Sequence, residues 1–272
     1  MNPMIRRVVW KACHATPLLM SAVFLLGGCA SVNPSLASSD DAVLSQERIA
    51  AIIASPNRSA ADRGNDLRRK PDQMLAFIGI RPGMVVLDLG AGGGYSTELL
   101  ARAVGPAGRV YGQSAPRAAR PPGRPSSPDA LALRARNAAL ANIVPVVRPF
   151  EDPVPADIGP GGLDLVTFMF NYHDLGHMGV DRERMNKAVF AALKPGGLYV
   201  IADHAGRPGT GISESGTLHR IEEAFLRQEV ESAGFQQVGR GNFLRNADDP
   251  RDKNAPAPGQ AKDAFVLKFV KP

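Results

Sequence analysis

Beyond residue 29 this chain contains no cysteine, since both of its cysteines, Cys13 and Cys29, fall among the first thirty of 272 residues. The absence excludes a thiol nucleophile, a thiolate-held zinc or iron–sulfur centre and a disulfide-stapled scaffold for everything downstream. A strong excess of one charge is missing too. The formal charge is +6, but residues 1–28 hold Arg6, Arg7 and Lys11 and no acid, so the rest is near balance. That is not the basic footprint of a nucleic-acid binder. Nor is there an apolar run long enough to span a bilayer, which takes about twenty residues. With 44 % hydrophobic and 21 % charged residues, a collagen, a long coiled coil and a disordered tail are excluded, and the length suffices for a core.

What is present begins with an address. Residues 18–28 form an apolar run with cations before it, the length and flank of a signal-peptide core. The run ends in Leu26-Gly27-Gly28-Cys29, which resembles the lipobox of bacterial lipoproteins, where the cysteine thiol receives the lipid. Residues 1–28 are therefore expected to be a signal peptide and Cys29 a lipidation site. Acyl chains there would hold the protein to a membrane without spanning it, at the periplasmic face of the cell envelope. Arg6-Arg7-Val8-Val9-Trp10-Lys11 also resembles a twin-arginine export signal, with Ile5 in place of the usual leading hydroxyl residue. Residues 29–57 read as a tether and a short helix over 41–54.

From there the apolar pattern alternates. Helices are expected over 59–69 and 71–79, the latter with Pro71 in its first turn. Strands are expected at 84–88, 109–112, 143–147, 163–170 and 198–202, with helices near 95–104, 129–141, 181–193 and 218–233, the last capped by Thr217. Pro145 demotes the third strand toward an edge. Residues 235–238 and 264–270 suit a terminal strand pair. The alternation predicts an α/β fold with a doubly wound, mostly parallel sheet. The stretch 113–129, with five prolines and three arginines, reads as a surface loop beside the site or a neutral insertion.

Between the first strand and its helix stands Asp88-Leu89-Gly90-Ala91-Gly92-Gly93-Gly94-Tyr95. Glycines let the chain turn sharply and let a ligand reach bare backbone. The dinucleotide fingerprint Gly-x-Gly-x-x-Gly fails, because its last position falls on Tyr95. The spacing Asp-x-Gly-x-Gly-x-Gly is met by Asp88, Gly90, Gly92 and Gly94. Together with Leu193-Lys194-Pro195-Gly196-Gly197 before an apolar strand, this resembles the class I S-adenosylmethionine-dependent methyltransferases. Lys70-Pro71, Asn171-Tyr172-His173-Asp174 and Phe243-Leu244-Arg245-Asn246 extend the resemblance to predicted exported bacterial methyltransferases, over roughly residues 58–272.

The resemblance implies a Rossmann-like sheet of seven strands, S-adenosylmethionine as cofactor and a small-molecule acceptor. The glycine loop would lie against the methionine part of the cofactor, with Asp88 orienting its amino group. At the end of the second strand, where the family has an acid for the ribose, this chain has Gln113, which retains a hydrogen bond but not a charge-assisted one. Glu151 or Asp152 would meet the adenine amine, and Asn171 also falls on the cofactor side.

Ligands bind outside the carboxyl ends of the strands in open α/β sheets, which puts His173, Asp203 and His204 on the right edge. Methyl transfer often needs a base to take a proton from the acceptor. His173 is the expected base, in its neutral form, with Asp174 or Asp203 orienting it. Two other readings stay open. One is a binding protein that keeps the fold without the chemistry. The other is a metal-dependent hydrolase using His173, Asp203, His204, His219 and Glu223, residue types that suit zinc, iron or manganese, although no close ligand motif is present.

Overall fold

The computed structural model describes residues 42–116, 126–254 and 261–272. The expected signal segment, Cys29, most of the tether and residues 117–125 of the proline-rich loop lie outside them. Seven strands form one sheet: β1 Val85–Leu89, β2 Arg109–Ser114, β3 Ile143–Val147, β4 Leu163–Met169, β5 Leu193–His204, β6 Gln236–Gly241 and β7 Ala264–Val270. Their order is 3-2-1-4-5-7-6. β1 to β5 run parallel, and β7 inserts antiparallel between β5 and β6. This is the predicted doubly wound sheet with an antiparallel C-terminal pair. β1 and β4 lie at its centre as near-continuous apolar runs, as burial on both faces requires. β3 forms one edge, which tolerates Pro145.

Eight helices accompany the sheet among the described residues: α1 Gln46–Ile53, α2 Ala60–Arg69, α3 Pro71–Ile78, α4 Tyr95–Val104, α5 Ser127–Ala135, α6 Asp174–His177, α7 Arg182–Ala192 and α8 Glu223–Ser232. One face of the sheet is covered by α1, α3 and α4, which bury Ile49, Ile52, Leu75, Ile78, Leu100 and Val104. The other face is covered by α7 and α8 through Met185, Val189, Leu226 and Val230. Ser45 and Ser59 cap α1 and α2 by accepting the Arg48 and Asp62 backbone N–H groups. Because Ile49 and Ile52 belong to the main core, the compact fold begins before residue 58. No helix among the described residues is long and apolar enough to cross a membrane.

Three elements depart from the pattern reading. The expected helix 129–141 starts earlier, at a Ser126–Asp129 capping box, and breaks after Ala135 into a short 3-10 turn over Ala138–Leu140. β5 starts five residues early, because Leu193 pairs with Leu163 before the Lys194–Gly197 segment bulges out of register. The helix expected over 218–233 begins only at Glu223, without a side-chain cap, so Thr217 caps nothing. His219 has φ 51, which a helix cannot absorb. Ile221 bridges Ala205, and the buried Arg220 is anchored by Asp249 2.9 Å away.

Candidate functional site

The strand order reverses between β1 and β4, which run side by side while their chains leave in opposite directions. A crevice at the carboxyl ends is the expected ligand position. The glycine loop fills this place. Gly90 and Gly92 have φ 58 and 57, a left-handed backbone open to glycine at little cost. A Cβ on Gly90 would lie 2.9 Å from the Phe168 ring, whereas one on Gly92 would meet only a carbonyl at 3.9 Å, so Gly92 borders open space. The loop is held from both sides. Gln113 Oε1 accepts the Gly90 N–H at 3.0 Å, and Asn171 Nδ2 donates to the Gly90 carbonyl at 3.1 Å.

Beside the loop lies a cleft of about 130 Å³, lined by Gly90, Gly92, Ser114, Ala115, Ser127, Pro128, Phe150, Asn171, Asp174 and Met178. Its apolar wall includes Phe150, stacked on Phe168 with ring centroids 5.8 Å apart. Ser114 Oγ is buried and has no hydrogen-bond partner among the described residues. Both flanks of the proline-rich stretch, Ala115 and Ser127-Pro128, border this cleft. A larger hollow of about 550 Å³, lined by Arg109 and Asn142 among others, sits at the amino ends of the strands, away from the loop.

Several expected cofactor residues stand elsewhere. Asp88 is buried beneath the loop, where its two oxygens accept the Thr97 and Thr167 hydroxyls at 2.7 Å each. Burial pushes its carboxyl up to about 6, against the lowering effect of the hydroxyls. Gln113 turns away from the cleft, its Nε2 donating to the Arg148 carbonyl at 2.6 Å. It secures the loop rather than facing a ribose. Ser114 holds the cleft-facing position instead, because neighbouring strand residues point to opposite faces. Asp152 pairs with Arg148 at the surface, and the cleft meets Phe150 rather than Glu151 or Asp152. Gly94 serves packing: a Cβ there would lie 2.8 Å from Leu131 of α5.

The other end of the cleft is built by α6 and the residues either side of it, Asn171 after β4 and Met178, with the end of β5 behind them. His173 Nδ1 lies 2.6 Å from Asp203 Oδ1, and its Nε2 lies 3.1 Å from Asp174 Oδ1. Burial alone would lower the His173 pKa, but the charge of Asp203 and hydrogen bonds to both carboxylates raise it to about 9. That direction favours the imidazolium, which has no lone pair with which to take a proton, and so argues against His173 as the expected neutral base. His173 is also buried and does not line the cleft. Asp174 does. Its oxygen also meets His219 Nδ1 at 2.9 Å. Burial would raise its carboxyl, but the two histidines overrule that and hold it near 2. His204 is driven down to about 2 by burial and by the cations Lys262, His173, Arg69 and Arg220. Glu223 pairs with Arg240 at 2.6 Å, on α8.

One signal in the sequence pointed to what was missed. Strand alternation through Gly112 and Ser114 could have exposed Ser114 as the cleft residue. The pairing of His219 with Asp174 had no local signal, since the two are 45 residues apart.

This fold has well-populated counterparts among solved structures. A methyltransferase from Aquifex aeolicus, described as S-adenosylmethionine-dependent, is 17 % identical, with a TM-score of 0.56 over 84 % of this chain and 100 % of that one. The fold is that of the class I S-adenosylmethionine-dependent methyltransferases. A putative methyltransferase from Haloferax volcanii, in complex with its Trm112 activator, is 18 % identical, with a TM-score of 0.55 over 84 % of this chain and 99 % of that one. Geranyl diphosphate C-methyltransferase from Streptomyces coelicolor is 14 % identical, with a TM-score of 0.55 over 82 % and 89 %. The family model for protein-L-isoaspartate(D-aspartate) O-methyltransferase matches residues 71–115. That match runs from α3 through the glycine loop to Ala115, the part of the methyltransferase fold that forms one wall of the cleft.

Proposed function

We propose that this protein is an exported, lipid-anchored methyltransferase that uses S-adenosylmethionine and a small-molecule acceptor. The observation that carries the proposal is the cleft at the sheet's switch point, which is lined by bare glycine backbone, by Phe150 and by Ser114, whose buried hydroxyl has no partner among the described residues. The residues present fit the cofactor. Gly90 and Gly92 would take its amino-acid end against bare backbone, Ser114 would meet a ribose hydroxyl, and Phe150, Ala115 and Pro128 would cover the adenine. Bound there, S-adenosylmethionine supplies an electrophilic methyl group on a sulfonium.

The chain's own contribution is placement. Asp174 is the one charged residue lining the cleft among the described residues. Its low pKa makes it a poor proton acceptor but a permanent anion, suited to accept a hydrogen bond and orient an acceptor for in-line approach. Asn171 spans from the glycine loop to the Met169 carbonyl and fixes the two ends of the cleft relative to each other. Support for export and anchoring comes from the residues before position 30.

The test is calorimetric titration of the protein with S-adenosylmethionine and S-adenosylhomocysteine. Saturable binding is expected. Gly92→Asn should abolish it at nearly unchanged melting temperature, because asparagine tolerates the left-handed backbone and its side chain fills the open space. No heat and no thermal shift at about millimolar ligand would overturn the proposal, since cofactor complexes tighter than that register in both measurements.

A further inference from the structure

The acceptor end of the cleft contains a constellation that methyl transfer by itself does not use. Among the described residues, His173, Asp174 and His219 each offer one ligand atom, all lying within 4.8 Å of one another. The Asp174 oxygen stands 3.1 Å from His173 Nε2 and 2.9 Å from His219 Nδ1. Ligand atoms about 2.0–2.2 Å from a tetrahedral metal sit roughly 3.3–3.6 Å apart, so each histidine nitrogen already stands near that spacing from the Asp174 oxygen.

We propose that His173, Asp174 and His219 form a site for a divalent transition-metal ion, with an open coordination position toward the cleft. For the methyl acceptor this implies an oxygen or sulfur group that can bind the ion, an assignment that rests on the proposed methyl transfer. The metal site itself does not.

Four observations support it. The first is the arrangement behind His173. Asp203 is fully buried and accepts His173 Nδ1 at 2.6 Å, its backbone N–H at 2.7 Å and the His204 backbone N–H at 2.7 Å. A carboxylate on the far ring nitrogen fixes the tautomer and aims Nε2 at the ligand position, the usual support of a metal-binding histidine. The second is the placement of His219. It is held at φ 51, a conformation that non-glycine residues seldom adopt, and the neighbouring Arg220 locks it there through the Ala205 and Lys253 carbonyls. The third is charge: the carboxyl groups of Asp174 and Asp203 flank the His173 ring, an acidic surrounding that suits a divalent cation at Nε2. The fourth is access, because Asp174 lines the cleft and three protein ligands leave a position free, as in catalytic rather than structural sites. Two imidazoles and a carboxylate suit zinc, iron, manganese or cobalt.

Of the five possible ligands in the metal-dependent alternative, His173 and His219 belong to the proposed site, Asp174 joins them, Asp203 stands behind His173, and His204 and Glu223 fall outside.

The full-length protein, purified without a histidine tag and stripped with chelator, should be titrated with Co²⁺ by visible absorption and with Zn²⁺ by equilibrium dialysis. One equivalent of each is expected, with the intense visible bands of a four- or five-coordinate cobalt site. His219→Ala and Asp174→Asn should each weaken binding more than tenfold while circular dichroism shows that the metal-free variants keep the wild-type fold. Asp203→Asn should weaken it about 10- to 100-fold. Absence of saturable binding, or wild-type affinity in His219→Ala and Asp174→Asn, would overturn the site. Adenosylmethionine binding is measured on the same metal-free protein. Metal binding without cofactor binding sustains the site and overturns the acceptor assignment, whereas cofactor binding without metal overturns this inference and spares the methyltransferase.

Discussion

Gln113 and Ser114 show how far a single residue can be read. The family resemblance implies a ribose contact at the end of β2, and there the structure puts Ser114, not Gln113, beside the cleft. The choice between two neighbours turns on strand register, and a slip of one residue changes the face. Gln113 spends its amide on the Gly90 N–H and the Arg148 carbonyl, leaving Ser114 at the cleft. The two positions should therefore respond oppositely to an acid. Ser114→Asp puts an anion where a ribose hydroxyl can donate, and one charged hydrogen bond worth about 1.5–3 kcal/mol should tighten cofactor binding roughly ten- to a hundredfold. Gln113→Asp removes both loop anchors and should lower melting temperature and affinity together. Equal effects of the two variants in calorimetry would show that neither side chain faces the cofactor.

The histidines carry a second residue-scale prediction, for metal-free protein. His173, raised to about 9, contributes stability that is fully present below its unfolded pKa of about 6.5 and is lost as pH rises through 9. His204, lowered to about 2, stays neutral in the fold while the unfolded chain takes up a proton, so stability is lost as pH falls below about 6.5. Asp88, raised to about 6, opposes the acid limb, so the variants are read against wild type. In urea unfolding, the deficit of His173→Gln should shrink as pH climbs from 6.5 to 9. The advantage of His204→Leu should grow as pH drops below 6.5. Parallel pH curves for wild type and either variant would contradict the protonation state assigned to that residue.

At the scale of elements, the alternation of strand and helix was legible because both periods are written in apolar residues, and α4 and β3 fall at their expected bounds. The stretch 218–222 was not. Leu218, Ile221 and Phe225 mimic a helical stripe, but Arg220 between them is fully buried and ion-paired, a fact that depends on Asp249 and the Lys253 carbonyl arriving from a distant loop. Tertiary contact overrides local period there. The segment should consequently be held by Arg220 rather than by helix propensity. Arg220→Ala strands Asp249 in the interior, and loss of one partner of a buried pair typically costs about 3–5 kcal/mol. Equilibrium unfolding should show a loss of that order, and Arg220→Met with Asp249→Leu should recover part of it. A loss below about 1 kcal/mol, the range of a surface ion pair, would mean that the segment is held by other contacts. Because His219 adjoins this anchor, Arg220→Ala should also relax the contact between His219 and Asp174.

At the scale of the whole molecule, the address and the fold pull in different directions. The proposed cofactor is made in the cytoplasm, while the export signal proposed for residues 1–29 would direct the chain out of it. Export of an already folded protein reconciles the two, because a folded domain can cross with its cleft filled, and Arg6-Arg7 is the feature that would select such a route. Three outcomes can be separated in one experiment on the full chain in a bacterial host. Arg6→Lys combined with Arg7→Lys conserves charge and apolar core, and hence any export that needs only those. Accumulation of unprocessed, folded precursor inside the cell would show that the arginine pair itself is read. Unchanged export would assign the chain to the unfolded route, and the protein would then have to find its cofactor in the envelope. Cys29→Ser in the same series should abolish palmitate labelling and release the domain from the membrane fraction, since a polar hydroxyl cannot take the thioether-linked lipid. If that variant is still labelled, the acyl chain sits elsewhere and the Leu26–Cys29 reading fails.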